Sequence, residues 1–193
     1  MTSAFLIILA SYIFGSIPFG YVFTKIFLKK DIRDIGSGNI GATNVLRTGN
    51  KLIGYLTLFF DVLKSVIPVI YIKFFFPDYI FVSSLSVFIG HVFPVWLNFK
   101  GGKGVASYVG ILFCINFILG LNFIFIWLII FVIFKYSSLS SILSSLCIPI
   151  TYYFIIDNNN YYFFIIMFIL ILFTHRENVK RLINKEESKT KIY

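Results

Sequence analysis

The strongest constraint on this chain is a series of apolar runs, at about 4–28, 52–76, 79–99, 105–134, 138–156 and 161–174. Most reach the roughly 20 residues that a helix needs to cross the hydrocarbon core of a bilayer. One soluble core within 193 residues could not bury them all. Hydrophobic residues make up 59% of the chain and charged residues 13%, against about 45–50% and about 25% in soluble domains. These proportions exclude disorder, and they weigh against reading the net charge of +9 as that of a soluble DNA-binding protein. The chain reads as an all-α integral membrane protein. No basic residue precedes the first run, and Lys25, Lys29 and Lys30 follow it, so it reads as a retained helix rather than a cleaved signal peptide.

The run at 105–134 would extend about 45 Å as one helix against a core of about 30 Å, so it is either one long tilted helix or two short spans. Gly120, Leu121 and Asn122 interrupt it. Divided there, it yields seven helices, at about 4–28, 52–76, 79–99, 105–119, 121–134, 138–156 and 161–174. Every Lys and Arg except Lys64 and Lys73 then falls on one side. Six crossings would move Lys135 and the basic C-terminal tail to the other side. The positive-inside rule therefore predicts seven transmembrane helices, with the N-terminus outside and the C-terminus cytoplasmic. The outer turns at Pro77–Asp78 and 157–160 carry no basic residue.

This topology puts three polar segments at the cytoplasmic face. The first runs from Gly36 to Arg47. Gly36, Gly38 and Gly41 permit backbone shapes that aim N–H groups at a phosphate. Ser37, Asn39, Thr43 and Asn44 add neutral donors, and Arg47 adds a planar fork. The second is Lys100-Gly101-Gly102-Lys103-Gly104, at the start of a helix whose free N–H groups attract anions. It is no Walker loop, because Gly104 follows Lys103 where Ser or Thr would stand. The third begins at His175. On a continuous helix His175, Asn178, Arg181 and Lys185 share a face about 120° wide.

The remaining ionisable groups are fewer. Asp61 and Lys64, at i,i+3 inside a span, read as a structural pair. His91, before Pro94, adjoins the lysine loop and is a candidate for folding that corner or for binding substrate. Cys114 and Cys147 lie in apolar runs and read as core residues. No metal site is expected, since Asp31, Asp34, Glu177, Glu186 and Glu187 lack a paired-ligand arrangement. Three cationic, donor-rich segments at the mouth of an apolar bundle suit an amphiphile with a phosphate head. Neither histidine has an aspartate five residues on, which excludes the His-x4-Asp dyad of the common glycerolipid acyltransferases.

Gly15-Ser16-Ile17-Pro18-Phe19-Gly20, SGNIGATNVLR from Ser37, Asp61-x-x-Lys64, GHVFPVWLNFKGGKGVA from Gly90, Lys135-Tyr136 and HRENVKRL from His175 occur in this order. From about residue 8 to 189 the chain resembles the bacterial acyl-phosphate:glycerol-3-phosphate acyltransferase family. The resemblance implies a seven-helix enzyme of the bacterial inner membrane with a cytoplasm-facing site. It would move a fatty acyl group from acyl phosphate to the 1-position of glycerol 3-phosphate, giving lysophosphatidic acid and phosphate. It implies no cofactor, no metal and no nucleic-acid partner; membrane lipids surround it, and a monomer is expected. Ser37, Arg47, Lys103, His175 and Asn178 are the implied catalytic residues. Gly38, Asn39, Gly41, Thr43, Asn44, His91, Lys100, Gly101, Gly102, Gly104 and Arg181 are the implied substrate-binding set. Ser65, Ser107, Lys135 and Lys185 depart from the family pattern. Lys185 stands where Gly is usual, so the geometry of the tail is in question. The competing reading is a transporter of an organic phosphate, which predicts midplane charges and inverted repeats.

Overall fold

The computed structural model describes residues 2–156 and 160–190, with side chains described for 3–154 and 160–190. Every regular element among them is helical. The helices are α1 (Thr2–Ser16), α2 (Phe19–Phe27), α3 (Ala42–Leu46), α4 (Lys51–Phe75), α5 (Ile80–Val92), α6 (Val105–Ile115), α7 (Phe117–Phe134), α8 (Ser137–Ile156), α9 (Tyr161–Thr174) and α10 (Arg176–Ile183). They form two compact units, 1–115 and 116–193.

In the first unit α4 is central and packs against α1, α2, α3, α5 and α6. The α1 and α5 backbones touch: a Cβ on Gly90 would run into the Tyr12 carbonyl, the small-residue contact by which helices associate in lipid. The first apolar run is two helices rather than one. Pro18 has no N–H to continue the helix, and it starts α2 after a break at Ile17. Below the polar loops, Ile32, Ile40, Val45, Ile53 and Leu97 form one buried apolar cluster.

The division of the fourth run falls elsewhere than expected. Gly120 and Asn122 lie inside α7, and α6 ends at Ile115. Asn116 makes the break. Its backbone is extended, and its Oδ1 accepts the Ile118 N–H at 2.9 Å, capping α7. A local side-chain cap thus decided the boundary, which composition at the run's midpoint did not report.

In the second unit α8 packs between α7 and α9. Ser138, Ser140, Ser141, Ser144 and Ser145 of α8 are buried. The Ser140, Ser141 and Ser144 hydroxyls donate back to carbonyls four residues earlier, and Trp127 Nε1–H donates to Ser141 Oγ at 3.1 Å. α9 does not continue straight past His175 but meets α10 at 63°. Only Asn160 of the expected 157–160 turn lies among the described residues.

By length and composition, four helical stretches can cross a bilayer: Ser3–Phe27, Lys51–Phe75, Pro77–Leu97 and Phe117–Phe134. The bent pair α9–α10 makes a fifth. Large apolar side chains face outward from them, Phe74 being 74% exposed and Phe125 65%. Exposed apolar surface on this scale requires lipid around it.

Candidate functional site

The 36–47 loop is built around Asn44, which is 3% exposed. Its Nδ2 donates to the carbonyls of Ile35 and Asn39 at 2.8 Å each and of Ile32 at 3.2 Å. Its Oδ1 accepts the Ser37 N–H at 2.9 Å. Asn39 Oδ1 accepts the Gly41 N–H at 2.8 Å, and the Gly38 N–H, with Gly38 at φ +70°, donates to the Ile35 carbonyl at 3.0 Å. The expected cradle of N–H groups around a phosphate is therefore not what these residues form. The N–H groups of Ser37, Gly38 and Gly41 already have acceptors, and the Asn44 amide braces the loop. What the loop offers outward is side chains: Ser37, Thr43 and Arg47 are exposed. The Arg47 stem lies over Gly36, so close that a Cβ there would meet its Cδ.

The neighbouring Arg33 is otherwise engaged. It grips Asp31 through Nε at 2.9 Å and Nη2 at 2.7 Å. That hydrogen bond lowers the Asp31 carboxyl to about 2, so the pair stays ionised and self-neutralised at any working pH.

The glycine–lysine loop leaves α5 through Pro94 and two left-handed residues, Asn98 and Phe99. The Gly101 N–H donates to the Val92 carbonyl at 3.0 Å and the Gly102 N–H to the His91 carbonyl at 3.1 Å. The N–H groups of these two glycines fasten the loop to the end of α5. Gly104, at φ +85° and against the Phe88 ring, makes the turn into α6. Lys100 is exposed and Lys103 half-buried at that helix start, where the first-turn N–H groups have no intrahelical acceptor. His91 is 3% exposed and lies under the loop, so it is not presented to a ligand from the surface. Both loops rest on the same apolar cluster, through Ile40 and Val45 on one side and Leu97 on the other.

In the second unit, His175 is the joint between α9 and α10 and is 3% exposed. Its Nδ1 lies 2.8 Å from the Ile171 carbonyl. A carbonyl can only accept, so Nδ1 carries the proton and Nε2 is the basic nitrogen of the neutral ring. α10 ends at Ile183, and Lys185, at φ +60°, lies beyond it, so Lys185 is off the face expected for a continuous helix. Asn178 and Arg181 instead converge on Glu187, a residue that sequence reasoning weighed only as a metal ligand. Glu187 Oε1 accepts from Asn178 Nδ2 and Ser138 Oγ at 2.7 Å each, and Oε2 accepts from Arg181 Nε at 2.7 Å. Burial alone would raise this carboxyl, but the hydrogen bonds from Ser138, Asn178 and Arg181 outweigh it and hold the group below its ordinary range. The one sequence signal was an acid shortly beyond the helix end.

Lys185 makes this return possible. It takes φ +60°, while the Glu186 N–H reaches the Arg181 carbonyl at 2.8 Å and the Lys185 N–H the Leu182 carbonyl at 3.2 Å. This is the helix-ending turn that usually employs glycine. The tail geometry survives the lysine at a cost in backbone strain of about 1 kcal/mol. Lys185→Gly is expected to raise stability by less than that, because glycine loses more backbone freedom on folding, with kcat unchanged, as read by thermal unfolding and steady-state assay.

Among the described residues no three His, Cys, Asp or Glu side chains gather as a metal site.

Comparison with known proteins gives one consistent result. The family model described as glycerol-3-phosphate acyltransferase matches residues 5–185. A protein of that name from Pelagibacter ubique is 68% identical over 188 residues, 97% of this chain and 98% of its own. Another, from Brucella anthropi, is 43% identical over 178 residues, 92% of this chain and 89% of its own. Among solved structures, PlsY, an integral membrane glycerol 3-phosphate acyltransferase, superposes in its glycerol 3-phosphate form with a TM-score of 0.90 at 37% identity, covering 97% of this chain and 95% of that one. Its lysophosphatidic acid form gives 0.88 at 36% identity.

Proposed function

The chain belongs to the glycerol-3-phosphate acyltransferase family, and from that premise we propose that it acylates the 1-hydroxyl of glycerol 3-phosphate with acyl phosphate as donor, releasing lysophosphatidic acid and inorganic phosphate. The observation that carries the reading is the pairing, on one apolar cluster, of an exposed Arg47 loop with the Lys103 loop at the start of α6. Two cationic sites in one unit suit a reaction whose two substrates both carry phosphate. The proposal includes seven crossings of the bacterial inner membrane, an N-terminus outside, a monomer, a site facing the cytoplasm, and catalytic roles for Ser37, Arg47, Lys103, His175 and Asn178.

Acyl phosphate is a mixed anhydride, so no covalent enzyme intermediate is required. The hydroxyl oxygen attacks the carbonyl carbon, the bond from that carbon to the bridging phosphate oxygen breaks, and phosphate leaves with that oxygen and the electron pair. Holding the two substrates in line contributes about 7–11 kcal/mol. Arg47, Lys103 and the first-turn N–H groups of α6 stabilise charge on the departing phosphate. Asn178 orients substrate, Ser37 hydrogen-bonds it, and His175 Nε2 takes the hydroxyl proton. His175→Ala is then expected to lower kcat by about 10²–10⁴ and to remove the acidic limb of the pH–rate profile. Near-normal turnover would assign that proton to an oxygen of the donor phosphate. The proposal as a whole is tested by product analysis, which should give one phosphate per lysophosphatidic acid, acylated at the 1-position. Phosphate release without acylated product would refute it.

A further inference from the structure

Three ionisable side chains lie buried below the glycine–lysine loop. Asp61, Lys64 and His91 are each no more than 3% exposed. Lys64 Nζ is 2.8 Å from Asp61 Oδ1, and His91 Nδ1 is 3.8 Å from the same oxygen. Each residue is also bonded to another segment, Lys64 through its side chain and Asp61 and His91 through their backbone carbonyls. Lys64 Nζ donates to the Ile17 carbonyl at 2.7 Å, at the break between α1 and α2. The Asp61 carbonyl accepts from Ser107 Oγ in the first turn of α6 at 3.3 Å. The His91 carbonyl accepts the Gly102 N–H at 3.1 Å. The far side of the His91 ring meets the loop directly, since a Cβ on Gly102 would overlap its Nε2.

Burying an ion pair is expensive, and an apolar replacement of similar volume is often at least as stable. A pair retained in such a place is better explained by the position it enforces than by the stability it adds. Here the enforced position is that of residue 102, next to Lys103. We propose that Asp61, Lys64 and His91 form a positioning unit that sets the height and angle of the glycine–lysine loop, and so the place at which Lys103 and the α6 N-terminus meet a substrate phosphate. The proposal rests on the reading of Lys103 as a phosphate contact. None of the three is a catalytic residue.

A double-mutant cycle tests the contact between ring and loop. His91→Ala and Gly102→Ala are each expected to raise KM for a phosphate-bearing substrate about tenfold, with kcat changed less than threefold. The double variant is expected to be no worse than the worse single one, because the added methyl occupies space the imidazole has left. Multiplied effects, about a hundredfold in KM, would overturn the proposal. So would a fall in kcat with both KM values unchanged, which marks a loss of folded protein and not a misplaced loop. His91→Gln, which keeps a polar group near the Nε2 position, should restore KM to within threefold of the parent.

A second readout does not depend on turnover. In protein with Cys114 and Cys147 changed to alanine and Lys100→Cys introduced, His91→Ala should alter the maleimide-labelling rate at residue 100 at least threefold. An unchanged rate contradicts the positioning role even if no acyl transfer is detected, which separates its failure from failure of the functional reading. Should His91→Ala not fold, Gly102→Ala carries the same labelling measurement with the three buried groups intact.

Discussion

Lys103→Ala is expected to reduce kcat/KM by about 10²–10³ while leaving the protein folded and in the membrane, the effect usual for removing one preorganised group that stabilises developing charge. The prediction follows from where the residue stands. Lys103 is half-buried at the start of α6, so its ammonium adds to the partial positive charge of the helix N-terminus in a setting partly shielded from water. The backbone around it is held by others, through the Gly101 and Gly102 N–H groups and the turn at Gly104. Truncating the side chain therefore removes charge without removing the loop. Lys103→Arg should recover only part of the loss, because a planar fork does not reproduce a compact point charge. Steady-state kinetics with thermal unfolding read alongside check this; a large fall in the unfolding temperature would indicate a structural role instead.

Glu187→Leu is the second large effect expected, and it separates stability from chemistry. The substitution leaves buried Asn178 without the acceptor of its Nδ2–H and Ser138 without that of its hydroxyl, and a buried donor stranded in this way costs about 1–3 kcal/mol. Asn178 also loses what orients it, so kcat/KM should fall more than tenfold together with thermal stability. Glu187→Gln keeps an oxygen for Asn178 and Ser138 but turns an N–H toward Arg181, and should fall between. The pH dependence has a definite sign. A carboxyl whose folded pKa is lowered adds stability above its unfolded value, near 4.5, and that contribution is lost as pH falls through the lowered folded value. Unfolding measured between about pH 3 and pH 7 should show the parent losing stability at the acid end. Glu187→Leu should lack that part of the slope.

Much of the fold was readable because lipid imposes a coarse requirement. Apolar runs of crossing length can be recognised without knowing what they pack against. The breaks were less readable. Asn116 ends one helix and starts the next through its own side chain, a local event that the strong apolar signal on either side conceals. His175 similarly joins two helices at 63°, which no count at 100° per residue could reveal. The site showed the same division. Ser37, Arg47 and Lys103 stood out because a hydroxyl and two cations among glycines form a recognisable pattern for holding phosphate. Those that hold the loops from within, Asn44, His91 and the Gly101–Gly102 pair, looked identical as letters but have their polar atoms or their space taken by neighbours. The bracing role of Glu187 went unseen because its partners come from Ser138 and α10, a tertiary return that runs through a left-handed Lys185 where glycine is usual.

The measurement that tests the central claim most directly offers the purified protein two donors, acyl phosphate and acyl-CoA, each with glycerol 3-phosphate, and scores lysophosphatidic acid and phosphate together, with Lys103→Ala as control. The account predicts lysophosphatidic acid from acyl phosphate only, with an equal amount of phosphate, and its loss in Lys103→Ala. Product from acyl-CoA at a comparable rate, or no product from either donor in folded protein that takes up glycerol 3-phosphate into vesicles, would contradict it, the second result in favour of a transporter.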